Sequence, residues 1–557
     1  MSAAGLWLPL LRNPRSLPHR AKLADVNTTN IRSAVQLGCQ AMSGMFNADD
    51  DEVGAPFFRI ILRPFVRMQF VNIFSDAQVP GKSLLGLVTA EKRLGIRVDP
   101  AVIDQYARVL FYSYSGSVVL PVNRDAIGGK LVNFVPVNVA HGFHGLYALA
   151  AFKGSDRARE VAELSIAAVS SLWDSKKGWD RTRIETTFGL TYRDVQPDAP
   201  FVAGLAMAIG PLAKYYRTTG SPAALGLATQ LKDKVLAECF VETGEYDPAR
   251  LGAHVQNVVY VMASLATLAT ITRDASLMKR VKAFYDNGLR NIRNDIGWSP
   301  EYFDSPARAR TTSRTNADKG EAGNTALILE TALLLGEWGY HEMFADAEVM
   351  LRSHLLPSQY RDVSFIAQPP NPQRVDGLAD VARRVQGSWG FPAPYGHHPD
   401  GEDVVGVGTD IVGPVVYALA EAHSRIVGRQ DGHLAIQLLF DYQDDEIEIS
   451  SPYTGNALTL TVAVRTPQLV MIRIPPWVST DRIELLGARR QSGDVANGYL
   501  RVSSPASGRF AVRFPFALRE LDVAYGGRVL RALTRGDQVV AMEDRGTDLT
   551  FFDPYRL

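Results

Sequence analysis

The stretch HVQNVVYVMASLATLATITRDASLMKRVKAFYDNGL, His254 to Leu289, holds two segments of different character. In the first, Val255, Val258, Val259, Met262, Leu265 and Ala269 follow the i, i+3, i+4, i+7 spacing of a helix. Its other faces are apolar too, and a helix apolar on nearly every face is buried on nearly every face. The second segment is amphipathic and opens on the polar turn TRD. A buried helix followed at once by a half-exposed one makes an αα-hairpin.

The pairing recurs on both sides of this stretch. Helical segments are predicted near 32–46, 80–94, 99–113, 138–152, 156–173, 199–217, 221–239, 252–271, 275–292, 321–337, 342–355 and 411–428. The amphipathic members open with turn and capping residues, as in GSDRAREVAEL and TGSPAALGLATQLKDKVL. Six such hairpins can close into a double-layered ring. An open solenoid would show a tighter repeat period. Long loops at 47–79, 174–198, 293–320 and 356–410 fall on one side of the hairpins and would gather at one mouth. After Arg429, runs such as DEIEISSP, ALTLTVAVRT, YLRVSS and RFAVRFPF alternate apolar and polar residues between turns, as antiparallel strands do. The segment 56–69 also reads as extended. The expectation is a mainly α chain: an N-terminal extension at 1–29, an (α/α)6 six-hairpin barrel at 30–430 and a C-terminal β-sandwich at 431–557.

The 557 residues carry 59 basic and 59 acidic side chains, a balance that points to neither nucleic acid nor an anionic membrane as partner. Two cysteines, Cys39 and Cys239, cannot form a disulfide framework or a cysteine-rich zinc site. The opening MSAAGLWLPLLRNPRSLPHR lacks a basic n-region and is broken by Pro9 and Pro14, so no signal peptide is expected. No segment reads as long enough to span a bilayer. A cytoplasmic monomer or homodimer without a cofactor is the default. No P-loop, GxGxxG or GxSxG stands in a strand–turn–helix context, which removes the main support for nucleotide, dinucleotide and serine-hydrolase readings.

Charged groups mark the ends of two apolar helices. In ADKGEAGNTALILETALLLGEWG, Ala317 to Gly339, Asp318, Lys319 and Glu321 precede a helix whose only charge from Thr325 to Leu335 is Glu330. A carboxylate there is either a cap for orphan N–H groups or a reagent. His141 and His144, and separately His254, sit at the starts of two other apolar helices. They read as members of a polar pocket or as interior histidines bonded to loop carbonyls. The loops add Trp179, Arg183, Glu185 and Tyr192, then Trp298 and Glu301, then Trp389, His397, His398 and Asp410. Aromatic rings beside carboxylates and guanidinium groups suit a sugar, whose apolar face stacks while its hydroxyls take polar partners. His397 and His398 in a Gly/Pro-rich turn give only a weak metal signal.

Several of these stretches resemble glycoside hydrolase family 127, the β-L-arabinofuranosidases. VPGKSLLGLVTAEKRLG resembles an early helix of the family, and VMIRIPPWV a strand of its sandwich. AHGFHGLYALAAF and GAHVQNVVYVMASLA resemble two helices that would put His141 and His254 on substrate-contacting histidines. KGEAGNTALILETALLL would put Glu321 on a carboxylate zinc ligand. The family's nucleophile is a zinc-bound cysteine, with zinc held by three cysteines and a glutamate. Here Gly323 stands at the first cysteine, Gly408 and Thr409 stand at the cysteine pair, and a further histidine is replaced near Ala199 and Pro200. The cysteine mechanism cannot operate, and no metal is expected.

Three readings follow. The first is a glycoside hydrolase working with carboxylates alone. Glu321 and Asp410 are its best pair, with Glu301, Asp318 and Glu185 as competitors. His141, His144, Glu185, Tyr192, His254, Asp318, Trp389 and His397 would bind the carbohydrate. The second is a lyase with Tyr192 or a histidine as base and arginines that neutralise a uronate. The third is a carbohydrate-binding relative without activity. Charges with no task are costly at a buried helix end, which argues against the third.

Overall fold

The computed structural model describes residues 21–555 apart from 291, 304–319, 391–404, 455–457, 526–527 and 544–548. Among them twelve helices have eight residues or more. In chain order they are α1 (Ile31–Ser43), α2 (Val79–Leu94), α3 (Pro100–Ser113), α4 (Val137–Phe152), α5 (Asp156–Leu172) and α6 (Ile209–Thr219). Then come α7 (Pro222–Glu238), α8 (Val255–Thr272), α9 (Ala275–Asn287), α10 (Ala322–Trp338), α11 (Met343–Met350) and α12 (Thr409–His423). The even-numbered helices pack in a cycle, α2 on α4, α4 on α6, α6 on α8, α8 on α10, α10 on α12 and α12 back on α2. Each odd-numbered helix lies outside, α1 against α12, α3 against α2, α5 against α4, α7 against α6, α9 against α8 and α11 against α10.

Three expectations shift. The sixth helix begins late, because Pro200 and Gly204 interrupt the segment and a short 3-10 turn, Leu205–Ala208, leads into α6. The twelfth ends at His423, and Val427–Gln430 is already a strand paired with His433–Ile436. Finally, α8 is 18 residues long and apolar enough to cross a membrane by length and composition, against the sequence reading. It lies inside the cycle between α6 and α10 with 78% of it buried.

Inner and outer helices begin differently. Five of the six outer helices carry side-chain caps, α11 being the exception. Asn30 accepts from the Ser33 amide, Asp99 from Ala101, Ser155 from Ala158, Ser221 from Ala224 and Asp274 from Leu277. None of the six inner helices has one, although Gln78, His254 and Glu321 occupy cap positions. Those side chains are therefore free for other work, at ends where orphan N–H groups leave a partial positive charge.

Glycines let α2 sit unusually close to both neighbours. A Cβ on Gly81 would lie 1.9 Å from the His141 carbonyl oxygen of α4, and one on Gly413 of α12 would lie 2.4 Å from the Lys82 carbonyl oxygen. These contacts are backbone to backbone and cannot be relieved by a rotamer change.

Two loops brace the same end. Arg59–Arg63 pairs with Arg67–Gln69 and with Val405–Gly408, the strand that runs into α12, which bears out the extended reading of 56–69. The buried Arg124 guanidinium bridges Asp50 at 2.6 Å and Asp76 at 2.8 Å just ahead of α2. Beyond α12 lie two five-stranded sheets. In the first, one face buries Leu434, Ile436, Val470, Ile472, Leu500 and Val502. On its other face Ala435, Met471 and Tyr499 cluster, with Tyr499 edge-on to His341 beside α11. Glu348 of α11 anchors this junction by bonding Arg352 at 2.9 Å and Arg473 of the sheet. Lys22, in the expected N-terminal extension, pairs with Thr550 near the other end of the chain.

Gly81→Ala should therefore cost about 1–3 kcal/mol or more in urea denaturation, the scale of forced overpacking. Gly226→Ala, in α7 with nothing within 4 Å of the added Cβ, should gain about 0.5–1 kcal/mol. Equal effects would refute the close-approach account.

Candidate active site

The uncapped ends converge on a cluster of carboxylates. Segment 299–302 runs between the starts of α8 and α10. The Glu321 amide donates to the Ser299 carbonyl at 2.9 Å, the Val255 amide to the Glu301 carbonyl at 2.9 Å, and the Phe303 amide to the Ala253 carbonyl at 2.7 Å. This pins Glu301 between the two helices, with its Oε1 at 3.7 Å from His254 Nε2. Tyr302 lies edge-on to the His254 ring at 4.8 Å. From α12, Asp410 Oδ2 accepts from Gln78 Nε2 and Lys82 Nζ, each at 2.8 Å.

Glu321 is the most enclosed member, with 0% exposure. It occupies the cap position of α10, yet its side chain caps nothing, and neither carboxyl oxygen has a hydrogen-bond partner among the described residues. The cap reading is therefore wrong. Burial holds its pKa well above the ordinary carboxylate range, and the nearby Glu301 and Asp410 charges raise it further against a smaller lowering by Lys82. Glu321 thus keeps a proton at a pH where an exposed glutamate has lost it.

The histidines divide. His141 of α4 is kept neutral by burial and by Lys82, and its Nδ1 has no partner. His254 Nδ1 is likewise unpartnered. His144, three residues on, bonds the Tyr260 hydroxyl, and both histidine rings pack on Tyr260, at 5.6 Å for His141 and 5.7 Å for His144. Trp389 is fully buried behind α1, and its Nε1 donates to the Leu355 carbonyl at 2.7 Å, so it offers no sugar-stacking face. Glu185 is exposed on a short helix, Arg181–Thr186, away from the cluster. Tyr192 is half-buried there, with its hydroxyl on Asp194 at 3.1 Å and Arg181 over its ring. Burial and the Asp194 charge push its pKa up, the wrong direction for a phenolate base. Asp318 and His397, with Lys319 and His398, lie outside the described residues. Sequence reasoning missed Gln78 and Lys82. Lys82 reads locally as one more solvated charge, yet it is 3% exposed.

The zinc site implied by the resemblance does not fit these residues. A Cβ at Gly323 would lie 2.9 Å from Glu321 Oε1 and 3.0 Å from Gln256 Nε2, so the cysteine's place is filled by the chain's own groups. Thr409 Oγ1 is committed to the Phe57 carbonyl at 2.5 Å. Cys39 and Cys239 are buried elsewhere, and burial pushes their thiols up to about 12 and about 11.

A separate cavity of about 70 Å³ lies at the other end of the inner helices, lined by Lys214, Glu330, Tyr417 and Glu421 among others. Its charges are paired internally. Lys214 Nζ donates to Glu330 and to the Tyr417 hydroxyl, each at 2.8 Å, and Glu421 bonds Arg93 and Arg425. The carboxylate cluster, with its unpaired oxygens, is the stronger candidate.

No protein-family model matches the sequence, and no curated protein matches it. Solved structures do. A family 127 β-L-arabinofuranosidase from Geobacillus stearothermophilus T6 superposes with a TM-score of 0.53 at 14% identity, covering 91% of this chain and 80% of that one. Another family 127 β-arabinofuranosidase gives 0.54 at 15% identity, covering 91% and 79%. A chain described only as a glycoside hydrolase gives 0.53 at 13%, covering 94% and 83%. This chain therefore has a remote likeness to family 127 that extends over most of its length, and at these identities the likeness is one of fold.

The proton on Glu321 makes a stability prediction. Near and below the ordinary glutamate value of about 4.3, folded and unfolded chains both hold that proton. As pH rises above it, the unfolded chain releases the proton first, so this group's contribution is present at acid pH and lost as pH climbs through the raised folded value. Glu321→Gln should match the parent in urea melts near pH ~4 and become progressively more stable than it from about pH 5 to 8. A variant less stable at every pH would restore a structural role.

Proposed function

We propose that the chain is a glycoside hydrolase with a carboxylate-based, metal-independent mechanism, built on an (α/α)6 barrel with a C-terminal β-sandwich. The observation that carries this reading is Glu321, buried, uncapping and unpaired, beside Glu301 and Asp410. Carboxyl groups whose surroundings push their protonation apart are the acid and base of glycosidic cleavage. Glu321 gives its proton to the glycosidic oxygen as the bond to the anomeric carbon breaks. Asp410 or Glu301 takes the proton of the water that adds to that carbon, or adds to it first and is then released by water. The negative charge of the cluster favours the positive charge that develops on the sugar ring. His141 and His254 offer free ring nitrogens to sugar hydroxyls.

The same charge argues for an uncharged sugar. Among the described residues, the cation at the cluster is Lys82, already bound to Asp410. A lyase acting on a uronate needs a cation for the substrate carboxylate, and Tyr192 is a poor base. A binding protein would have no need to hold three carboxyl groups at one buried point, where each carries a desolvation cost.

A panel of aryl glycosides and uronate oligosaccharides tests the reading. A hydrolase releases the aryl group, whereas a lyase leaves an unsaturated product that absorbs in the near ultraviolet. Glu321→Gln, Asp410→Asn and Glu301→Gln should each lower kcat by about 10²-fold or more. Prolonged chelation should leave turnover unchanged. His141→Ala and His254→Ala should each cost about 1–3 kcal/mol in kcat/KM with secondary structure intact, the cost of leaving a buried hydroxyl partner unmet. Full activity in all three carboxyl variants would reject the proposal.

A further inference from the structure

We propose that Lys82, with Gln78, is the positioning residue of the site: the two donors hold Asp410 by Oδ2 alone and leave Oδ1 as its working oxygen. The inference rests on the hydrolase reading and deepens it. Both bonds to Asp410 end on the same atom, Lys82 Nζ and Gln78 Nε2 each lying 2.8 Å from Oδ2. Oδ1 accepts no hydrogen bond from a described residue. Nor is it among the fully buried atoms without a partner, unlike the Glu321 oxygens and Glu301 Oε2. Asp410 as a whole is 6% exposed, so the oxygen left without a described donor sits in a nearly closed setting.

The lysine cannot be explained as a surface charge that happens to reach inward. It is 3% exposed, and an ammonium taken out of water is costly unless a partner repays the lost hydration. Its backbone is fixed on both sides. Gly413 of α12 abuts its carbonyl, and Gly81 beside it abuts the His141 carbonyl of α4. The stem thus leaves a clamped backbone, and Nζ meets Asp410 in one place. A carboxylate so held has one oxygen immobilised and the other aimed, which is what a base or nucleophile needs to meet a reacting atom in a near-attack geometry. Gln78 contributes because it stands at an uncapped helix start, where its amide is not consumed by the helix.

Lys82 does not itself act on substrate in this account, so its removal should act on kcat. Lys82→Met should lower kcat about 10²-fold on the aryl glycoside that the parent cleaves best, with KM changed less than about threefold. Added ammonium ion, the size of the lost Nζ group, should restore at least about tenfold of that loss by entering the space the methionine leaves at Nζ. Lys82→Arg should retain more activity than Lys82→Met. A purely structural lysine would lose stability and KM together and would not respond to the ion. Gln78→Leu, at the mouth, supplies the second variant should Lys82→Met not fold. It should lose about tenfold in kcat at constant KM, without ammonium rescue. A folded Lys82→Met with parental kcat, or one whose loss the ion leaves untouched, overturns the inference, as does parental kcat in Gln78→Leu. If the parent cleaves nothing on the panel, the hydrolase reading fails and this inference fails with it. A failure of the inference alone shows as an active parent indifferent to these changes.

Discussion

The position of α2 against α4 and α12 is the constraint on which the rest of the site depends. Gly81 and Gly413 bring three backbones closer than any side chain would permit. That closeness sets Lys82 against Asp410 and beside His141, residues separated by 328 and 59 positions in the chain, the first of these intervals being the separation across the Lys82–Asp410 bond. The gap between α2 and α12 is also where the cycle of inner helices closes, since these are its first and last members. Closure of the fold and assembly of the charge pair are thus one packing event.

A second rule distributes the polar groups. Five of the six outer helices use Asn, Asp or Ser to satisfy their own first amides, while the inner ones forgo side-chain caps. The amide ends left in the interior favour nearby negative charge. Three carboxyl groups gather there, and one buried ammonium offsets part of their repulsion. Proton retention by Glu321 is the remaining adjustment, because several unshielded negative charges at one dry point would repel too strongly to persist. The acid role proposed for Glu321 would follow from the same burial and electrostatics.

The twelve helical segments were legible because inner helices such as α4, α8 and α10 are apolar on nearly every face and five of the six outer ones begin with a cap, both local patterns. The strands after α12 were legible from their alternation. The candidate site was legible only in part. Glu321, Glu301, Asp410, His141 and His254 announced themselves as polar groups at the ends of apolar helices or in a loop between them. Lys82 and Gln78 did not, because their meaning lies in a contact with the far end of the chain. Trp389 misled because an aromatic ring in a charged loop looks the same whether it faces a sugar or fills the space behind α1.

The departures from the family pattern also make joint physical sense. Losing a cysteine at 323 is not a local event if the cavity around Glu321 keeps its size, since an empty pocket beside a buried carboxyl would have to hold water or collapse. Here Gln256 and the Glu321 carboxyl itself occupy that space, and only a glycine leaves room for both. Without thiolates the three-cysteine zinc set that the resemblance implies cannot form. Among the described residues, the cation bound at the carboxyl groups is Lys82, which the chain carries covalently. A tethered ammonium cannot polarise an oxygen as a metal does, but it can fix one carboxylate and leave another protonated. The geometry around residues 82, 321 and 410 is therefore that of a fixed carboxylate beside a protonated one, which suits the acid–base chemistry proposed above, and the likeness to the arabinofuranosidases is one of fold.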